Sequence, residues 1–146
     1  MRIAIGSDHA AYECKEAVKQ FLESMGHAIT DVGTDTTDSC DYPDYAAAVS
    51  KQVQSGVVHR GILICGTGIG MSIAANRFKR VRAALCYTEE LATLSRLHND
   101  ANVLCMGART QSMSSMQTIM QSWLSTEWEG DRHATRLLKI EQNVEG

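Results

Sequence analysis

Basic residues are not in excess in this chain. It carries 14 lysines and arginines against 17 acids, for a formal net charge of -3. No global positive field exists to gather nucleic acid or a membrane surface, so any anion must be held by local clusters. Proline is nearly absent, Pro43 being the only one, while 44% of residues are hydrophobic. That balance excludes a disordered chain. No cysteines form a C-x-x-C pair, and the five present (Cys14, Cys40, Cys65, Cys86, Cys105) are odd in number. Neither a disulfide framework nor a zinc knuckle is signalled, and a reducing, cytoplasmic compartment is expected. No apolar run is long enough to span a bilayer. The opening Arg2-Ile3-Ala4-Ile5-Gly6 lacks the basic, apolar and small-residue succession of a signal peptide. No repeat, linker or low-complexity stretch divides the chain, so one domain over residues 1–146 is expected.

What is present is alternation. Short apolar runs at 2–6, Ala28 to Val32, Ile62 to Cys65, Val81 to Cys86 and Val103 to Met106 read as strands. Between them lie helical patterns: Ala10 to Met25, Tyr45 to Val53, Met71 to Asn76, and Thr88 to His98, where Thr88 caps and two acids suit the dipole. Residues 34–44 are polar, contain Pro43 and read as a loop. Met113, Met116, Ile119, Met120, Trp123 and Leu124 mark another amphipathic helix, and its methionine stripe reads as core packing. Gly130-Asp131 is expected to cap a last helix. The pattern predicts a single-domain three-layer α/β/α sandwich around a doubly wound, five-stranded parallel sheet, Rossmann-like in class. Such sheets collect ligands at the carboxyl ends of their strands. Asp8-His9, Cys65 to Gly70, Tyr87-Thr88 and Arg109 should therefore share one end of the sheet.

The stretch Ile62-Leu63-Ile64-Cys65-Gly66-Thr67-Gly68-Ile69-Gly70 is a buried strand running into a glycine turn. Its spacing is G-x-G-x-G, with Met71 where a dinucleotide fingerprint needs its last glycine, and no Gly-Lys-Ser/Thr exists. A small phosphorylated or oxyanionic ligand suits the turn better than a nucleotide. A cysteine is often a small buried hydrophobe. Cys65, however, ends a strand before a helix start, which favours a thiolate facing the crevice. Cys14, Cys86 and Cys105 keep the packing role. His98 reads equally as a histidine capping the last carbonyls of its helix or as a functional acid. Asp8 serves either as a cap or, with His9, in acid–base work or binding of hydroxyls. Arg132 and Arg136 share a helix face. Arg132 stands in a first turn, where a cation opposes the dipole, and a phosphate bound between the two arginines accounts for that placement. Arg109 can join them.

Together these motifs resemble a known family. Gly6-Ser7-Asp8-His9, Asp41-Tyr42-Pro43, Cys65 to Asn76 and His98-Asn99-Asp100-Ala101-Asn102-Val103 are similar, in order and over nearly the whole length, to the sugar-phosphate isomerases that include the type-B ribose-5-phosphate isomerases and the isomerases of galactose 6-phosphate and allose 6-phosphate. The resemblance implies interconversion of ribose 5-phosphate and ribulose 5-phosphate, with no metal or organic cofactor. Isomerisation of a six-carbon sugar phosphate is the alternative, and a sugar-phosphate-binding module without turnover is a more distant one. It implies that Cys65 is the base moving a proton between C2 and C1, where another branch has serine and recruits a glutamate. His98 becomes the ring-opening acid, with Thr67 and Asp8 beside the ring oxygens. The backbone of Gly66, Thr67, Gly68, Ile69 and Gly70 holds the enediolate. Asn99 binds sugar hydroxyls, Tyr42 lines the pocket, and His9, Arg109, Arg132 and Arg136 hold the phosphate. It further implies a homodimer whose sites draw on both subunits. Two departures stand out: Lys79-Arg80 where many relatives turn on proline or glycine, and Ser7 where some have cysteine.

Overall fold

Side chains alternate in direction along the strands, and in the inner strands the two apolar sets bury against opposite layers of helices. The computed structural model describes residues 1–144; residues 145 and 146, included in the expected 1–146 domain, lie outside that range. Five strands, β1 (Arg2–Ser7), β2 (Ala28–Asp31), β3 (Arg60–Cys65), β4 (Ala83–Leu85) and β5 (Val103–Gly107), make one sheet in the order β2-β1-β3-β5-β4. Every pairing is parallel. Six α-helices accompany them: α1 (Tyr12–Ser24), α2 (Tyr42–Ser55), α3 (Ile69–Ala75), α4 (Glu89–Asn99), α5 (Met113–Ser125) and α6 (Arg132–Gln142).

Ile3, Ile5, Ile62, Ile64, Leu104 and Met106 face one side and pack with residues of α1, α4 and α5. Ala4, Leu63, Cys65, Val103 and Cys105 face the other and pack with α2 and α3. The methionine stripe of α5 is core as expected, with Met116, Ile119, Met120 and Trp123 all buried. Each fully buried side chain of this size contributes roughly 1.5–3 kcal/mol. Trp123 is the largest of them, and Arg60 stacks on its ring, 5.1 Å from the centroid. Burial there lowers the Arg60 pKa to about 10. The α6 helix packs on α4. Among the described residues no helix is long and apolar enough to cross a membrane.

Three local expectations are corrected. Pro43 lies not in a loop but in the first turn of α2, which starts at Tyr42 rather than Tyr45. Proline is compatible there because the first N–H groups of a helix have no partner to lose. Asp131 has φ 53 and its side chain makes no cap bond. The turn into α6 is closed by backbone instead, with the His133 N–H donating to Gly130 O at 3.2 Å. The fourth strand is shorter than Val81 to Cys86 because Val81 still belongs to a turn, its N–H donating to Phe78 O. This edge strand is closed by Asn76, whose amide bonds both the N–H and the C=O of Ala83 at 2.8 and 2.9 Å.

Candidate active site

Parallel strands deliver their carboxyl ends to one end of the sheet, and the following helices begin there. Asp8 and His9 follow β1, Cys65 closes β3, Tyr87 and Thr88 follow β4, and Arg109 follows β5. The register sets Ser7 beside Ile64 and Cys65 beside Gly107. These residues therefore share one end, as their positions in the sequence imply.

The turn after β3 is held to its neighbours by backbone. Ala108 N–H donates to Cys65 O at 2.8 Å, and Arg109 N–H to Gly66 O at 2.9 Å. The Arg109 guanidinium lies over Gly66, close to where a β-carbon would stand. Cys65 is 5% exposed, and its Sγ accepts the Gly68 N–H at 3.2 Å. Gly68 has φ +82, and a β-carbon there would run into Leu85 and the Met106 backbone. Only glycine suits that position. The Thr67 hydroxyl accepts the Ile69 N–H at 3.2 Å. The ring of Tyr42 lies against Gly70, so the Asp41-Tyr42-Pro43 motif walls this turn from the α2 side.

Asp8 does cap. Its Oδ1 accepts the Ala10 N–H at 3.1 Å and holds a short 3-10 turn, His9–Ala11, ahead of α1. Oδ2 has no hydrogen bond among the described residues. His9 Nδ1 accepts the Cys40 N–H at 3.2 Å. That bond assigns the ring proton to Nε2, which is free to donate to a ligand. Cys14 and Cys86 are pushed up to about 11 by burial, and Cys105 higher still by the same cause. They remain thiols, as packing residues should.

The other named residues lie elsewhere. His98 and Asn99 end α4, which starts at the Cys65 end and runs back to the amino end of the sheet. His98 stacks on His133 of α6, with ring centroids 4.4 Å apart and planes 21° apart. Arg132 and Arg136 are on the same helix, both exposed. Burial first, then the charges of His98 and Arg132, hold His133 below the usual histidine range. Within one chain His98, Asn99, Arg132 and Arg136 thus form a second cluster, not assembled with Cys65.

His98, Glu129 and His133 have potential ligand atoms within 4.8 Å of one another, yet they suit a metal poorly. Imidazole lone pairs lie in the ring plane. Planes tilted by 21° at this stacking distance meet only on the order of 10 Å away, against a zinc–nitrogen bond of about 2 Å. The nearby arginines add charge of the same sign as a metal ion.

Several supporting residues have no place in the motif reading. Arg96, 5% exposed, donates to Asp100 Oδ1 at 2.8 Å and Ala101 O at 2.6 Å. Arg82 donates to Asn99 O and Asp100 O, each at 3.1 Å, and Asn102 Oδ1 accepts the Arg82 N–H at 2.8 Å. The Asp100 and Asn102 of the His98-to-Val103 motif are therefore turn builders, and Asp100 takes the left-handed conformation at φ 45. The i, i+4 spacing of Arg96 and Asp100 is the sequence signal for that anchor.

A family model described as Ribose/Galactose Isomerase matches residues 3–140. The chain belongs to that family. Ribose-5-phosphate isomerase B of Escherichia coli strain K12 is 43% identical over 139 residues, covering 95% of this chain and 93% of that protein. The solved structure of Clostridium thermocellum ribose-5-phosphate isomerase B superposes with a TM-score of 0.97 at 45% identity, covering 98% of this chain and 97% of that one. The Thermotoga maritima ribose 5-phosphate isomerase gives 0.95 at 47% identity, with 97% of both chains covered. In this isomerase of the family the two departures differ in place: Lys79-Arg80 lies away from the Cys65 turn, whereas Ser7 ends β1 at the same end of the sheet, beside Ile64. Lys79-Arg80 forms a turn tied to α2 and α6, through Gln54 to Lys79 O at 2.8 Å and Glu141 to the Arg80 N–H at 2.9 Å. Ser7 is buried, its hydroxyl donating to Asp8 O at 3.1 Å.

Proposed function

We propose that this isomerase interconverts D-ribose 5-phosphate and D-ribulose 5-phosphate, as a homodimer of single-domain chains in a reducing cytoplasm. The observation that carries the reading is Cys65: a thiol at the end of a buried strand, its sulfur accepting a backbone N–H, in a glycine turn with Asp8, His9 and Arg109 around it. An aldose–ketose shift needs one group that both takes and returns a proton, and a thiolate can do so. Cys65 removes the proton from C2 of the opened sugar. The electron pair passes to the C1 carbonyl and makes an enediolate, a proton moves from the C2 hydroxyl to O1, and the protonated sulfur returns its proton to C1 as the carbonyl forms at C2. The carbonyl beside C2 already delocalises the charge, so a base and oriented N–H groups suffice, and no metal or organic cofactor takes part. The backbone of Gly66 to Gly70 holds the enediolate oxygens.

His98 opens the furanose ring by protonating the ring oxygen, with Thr67 and Asp8 beside it and Asn99 on the hydroxyls. Because one chain keeps His98, Asn99, Arg132 and Arg136 apart from Cys65, a second copy supplies them. Arg132 and Arg136 then join His9 and Arg109 on the phosphate, whose binding energy is remote from the reacting carbons. Five free thiols suit a reducing compartment.

Initial rates on ribose 5-phosphate, allose 6-phosphate and galactose 6-phosphate test the substrate. Ribose 5-phosphate should be turned over fastest, and comparable rates on all three would undo the pentose assignment. Cys65→Ala should abolish turnover while ligand binding persists; activity surviving that change removes Cys65 as the base.

A further inference from the structure

Tyr87 has no part in the proton transfers described so far, yet it is bonded into the turn that carries them. Its hydroxyl donates to the Thr67 carbonyl oxygen at 2.6 Å and accepts the Thr110 hydroxyl at 3.2 Å. The Thr67 C=O and the Gly68 N–H are opposite ends of one trans peptide, so they point in opposite directions. The N–H end meets Cys65 Sγ at 3.2 Å. A single peptide plane therefore runs from the tyrosine hydroxyl to the reacting thiol.

That plane has reason to need holding. Gly68 lies at φ +82, and glycine crosses between backbone regions at little steric cost. Rotation of the Thr67–Gly68 peptide would turn the carbonyl oxygen toward the sulfur. An acceptor would then replace the donor beside a thiolate, which disfavours the charged form. The short bond from Tyr87 opposes that rotation, and Thr110 fixes the tyrosine from beyond it. Tyr87 is 40% exposed and belongs to neither buried cluster, so the fold does not depend on it.

We propose that Tyr87 is a positioning residue of the isomerase: by holding the Thr67 carbonyl it keeps the Gly68 N–H on Cys65 and so maintains the base. The proposal rests on Cys65 being that base. Tyr87→Phe keeps the ring and removes only the oxygen. Three quantities are read on the full chain: kcat and KM for ribose 5-phosphate, the rate of Cys65 alkylation by iodoacetamide at fixed pH followed by peptide mass, and the melting temperature. Cys40 in the same digest serves as the internal control. A hydrogen bond to a charged group is involved, so kcat should fall about tenfold with KM within about twofold, and Cys65 alkylation should slow by a similar factor. Melting should stay within about 1 °C, as for a surface change that exposes no core. Thr110→Val, which removes the outer bond together with a longer one to Gly107 O at 3.4 Å, should slow both rates by a smaller factor. A tyrosine that merely supported the fold would lower the melting temperature and leave alkylation of the folded chain unchanged. Either rate staying at its wild-type value in Tyr87→Phe overturns the proposal. Alkylation needs no turnover. A wild-type chain inactive on every sugar phosphate would therefore defeat the isomerase reading and leave the peptide lock to be decided by the alkylation rates.

Discussion

Two inactive variants of this chain should restore activity in each other. The register puts Cys65 beside Gly107 and Gly61 beside Val103, and the Gly61 N–H donates to Asn102 O. Four strand residues then separate the level of Cys65 from the turn that follows His98, a distance of about 13 Å. Along α4, from Thr88 at the Cys65 end to His98, ten residues rise by about 15 Å. A base at C2 and an acid at the ring oxygen flank atoms only two bonds apart. With each in hydrogen-bond reach of its atom, sulfur and imidazole can stand no more than roughly 8 Å apart. One chain does not meet that limit, so with the proposed roles each site takes Cys65 from one subunit and His98 from the other.

The perturbation is a pair of variants, Cys65→Ala and His98→Gln, each carrying its own affinity tag. Loss of an acid or base in this role lowers turnover by about 10²–10⁴, so each homodimer should be nearly silent. In a heterodimer, one site combines the intact Cys65 of the His98→Gln chain with the intact His98 of the Cys65→Ala chain. The other site lacks both. Purified by both tags in succession, the heterodimer should show about half the wild-type rate per dimer, and an equal mixture after random exchange about a quarter. Sites built within one chain would leave every site in the heterodimer defective. A purified heterodimer as inactive as its parents would refute the shared-site reasoning.

Three further outcomes are expected. Arg136→Gln should reduce kcat/KM for ribose 5-phosphate by about tenfold or more, the worth of a charge-assisted bond, while leaving the slow rate on unphosphorylated ribose unchanged; steady-state kinetics on both sugars decide it. Gly107→Ala would place a β-carbon 2.7 Å from the Thr67 carbonyl carbon and against the Thr110 hydroxyl. It should displace the Cys65 turn and cost turnover far more than it costs stability, about 2 kcal/mol of the latter, and a chain with full activity counts against the packing described. Burial works to raise the Asp31 pKa, but bonds from Lys15, Lys19 and the Gly33 N–H leave it below the usual carboxylate value. Its contribution to stability is therefore complete above the unfolded pKa of about 4 and is lost as pH falls through the lower folded value. Lys15 has no exposed side-chain surface and pairs with Asp31 at 2.6 Å. Asp31→Asn should cost about 2 kcal/mol at neutral pH, discounted for the partial exposure of the carboxylate, and should flatten the acid limb of stability measured by urea unfolding between pH 3 and 7.

The sheet was readable because its pattern is local. Ile3 to Ile5 and Ile62 to Cys65 are unbroken apolar runs, the pattern of a strand buried on both faces, with Ile3, Ile5, Ile62 and Ile64 on one side and Ala4, Leu63 and Cys65 on the other. Strand order was not readable. Nothing in Val103 to Gly107 states that it enters between β3 and β4, since any apolar strand offers similar faces to its neighbours. Pro43 misled because proline breaks a helix interior but is harmless in a first turn. The place of Cys65 was legible from a strand running into glycines. The role of Tyr87 was not, since its bond to the Thr67 carbonyl joins residues twenty apart through a backbone atom that carries no sequence signature.

The separation of His98 from Cys65 was written in the chain, in the length of α4. In an alternating α/β fold each helix starts where the preceding strand ends and returns to the start of the next. A residue late in a helix therefore lies at the amino end of the sheet, whatever motif it shares with residues at the carboxyl end. The exposed apolar residues agree with the remedy. Ile69 and Ile73, 50% and 62% exposed, stand on α3 beside the Cys65 turn, and Leu138 and Ile140, 64% and 47% exposed, stand on α6 beside the His98 cluster. In the proposed dimer a two-fold axis that brings the cysteine end of one chain to the histidine cluster of the other does so twice, because the same patches meet in reverse. Such a contact would complete two sites and cover both apolar faces at once. Burying that surface would provide the binding energy that holds the acid and the phosphate ligands opposite the base.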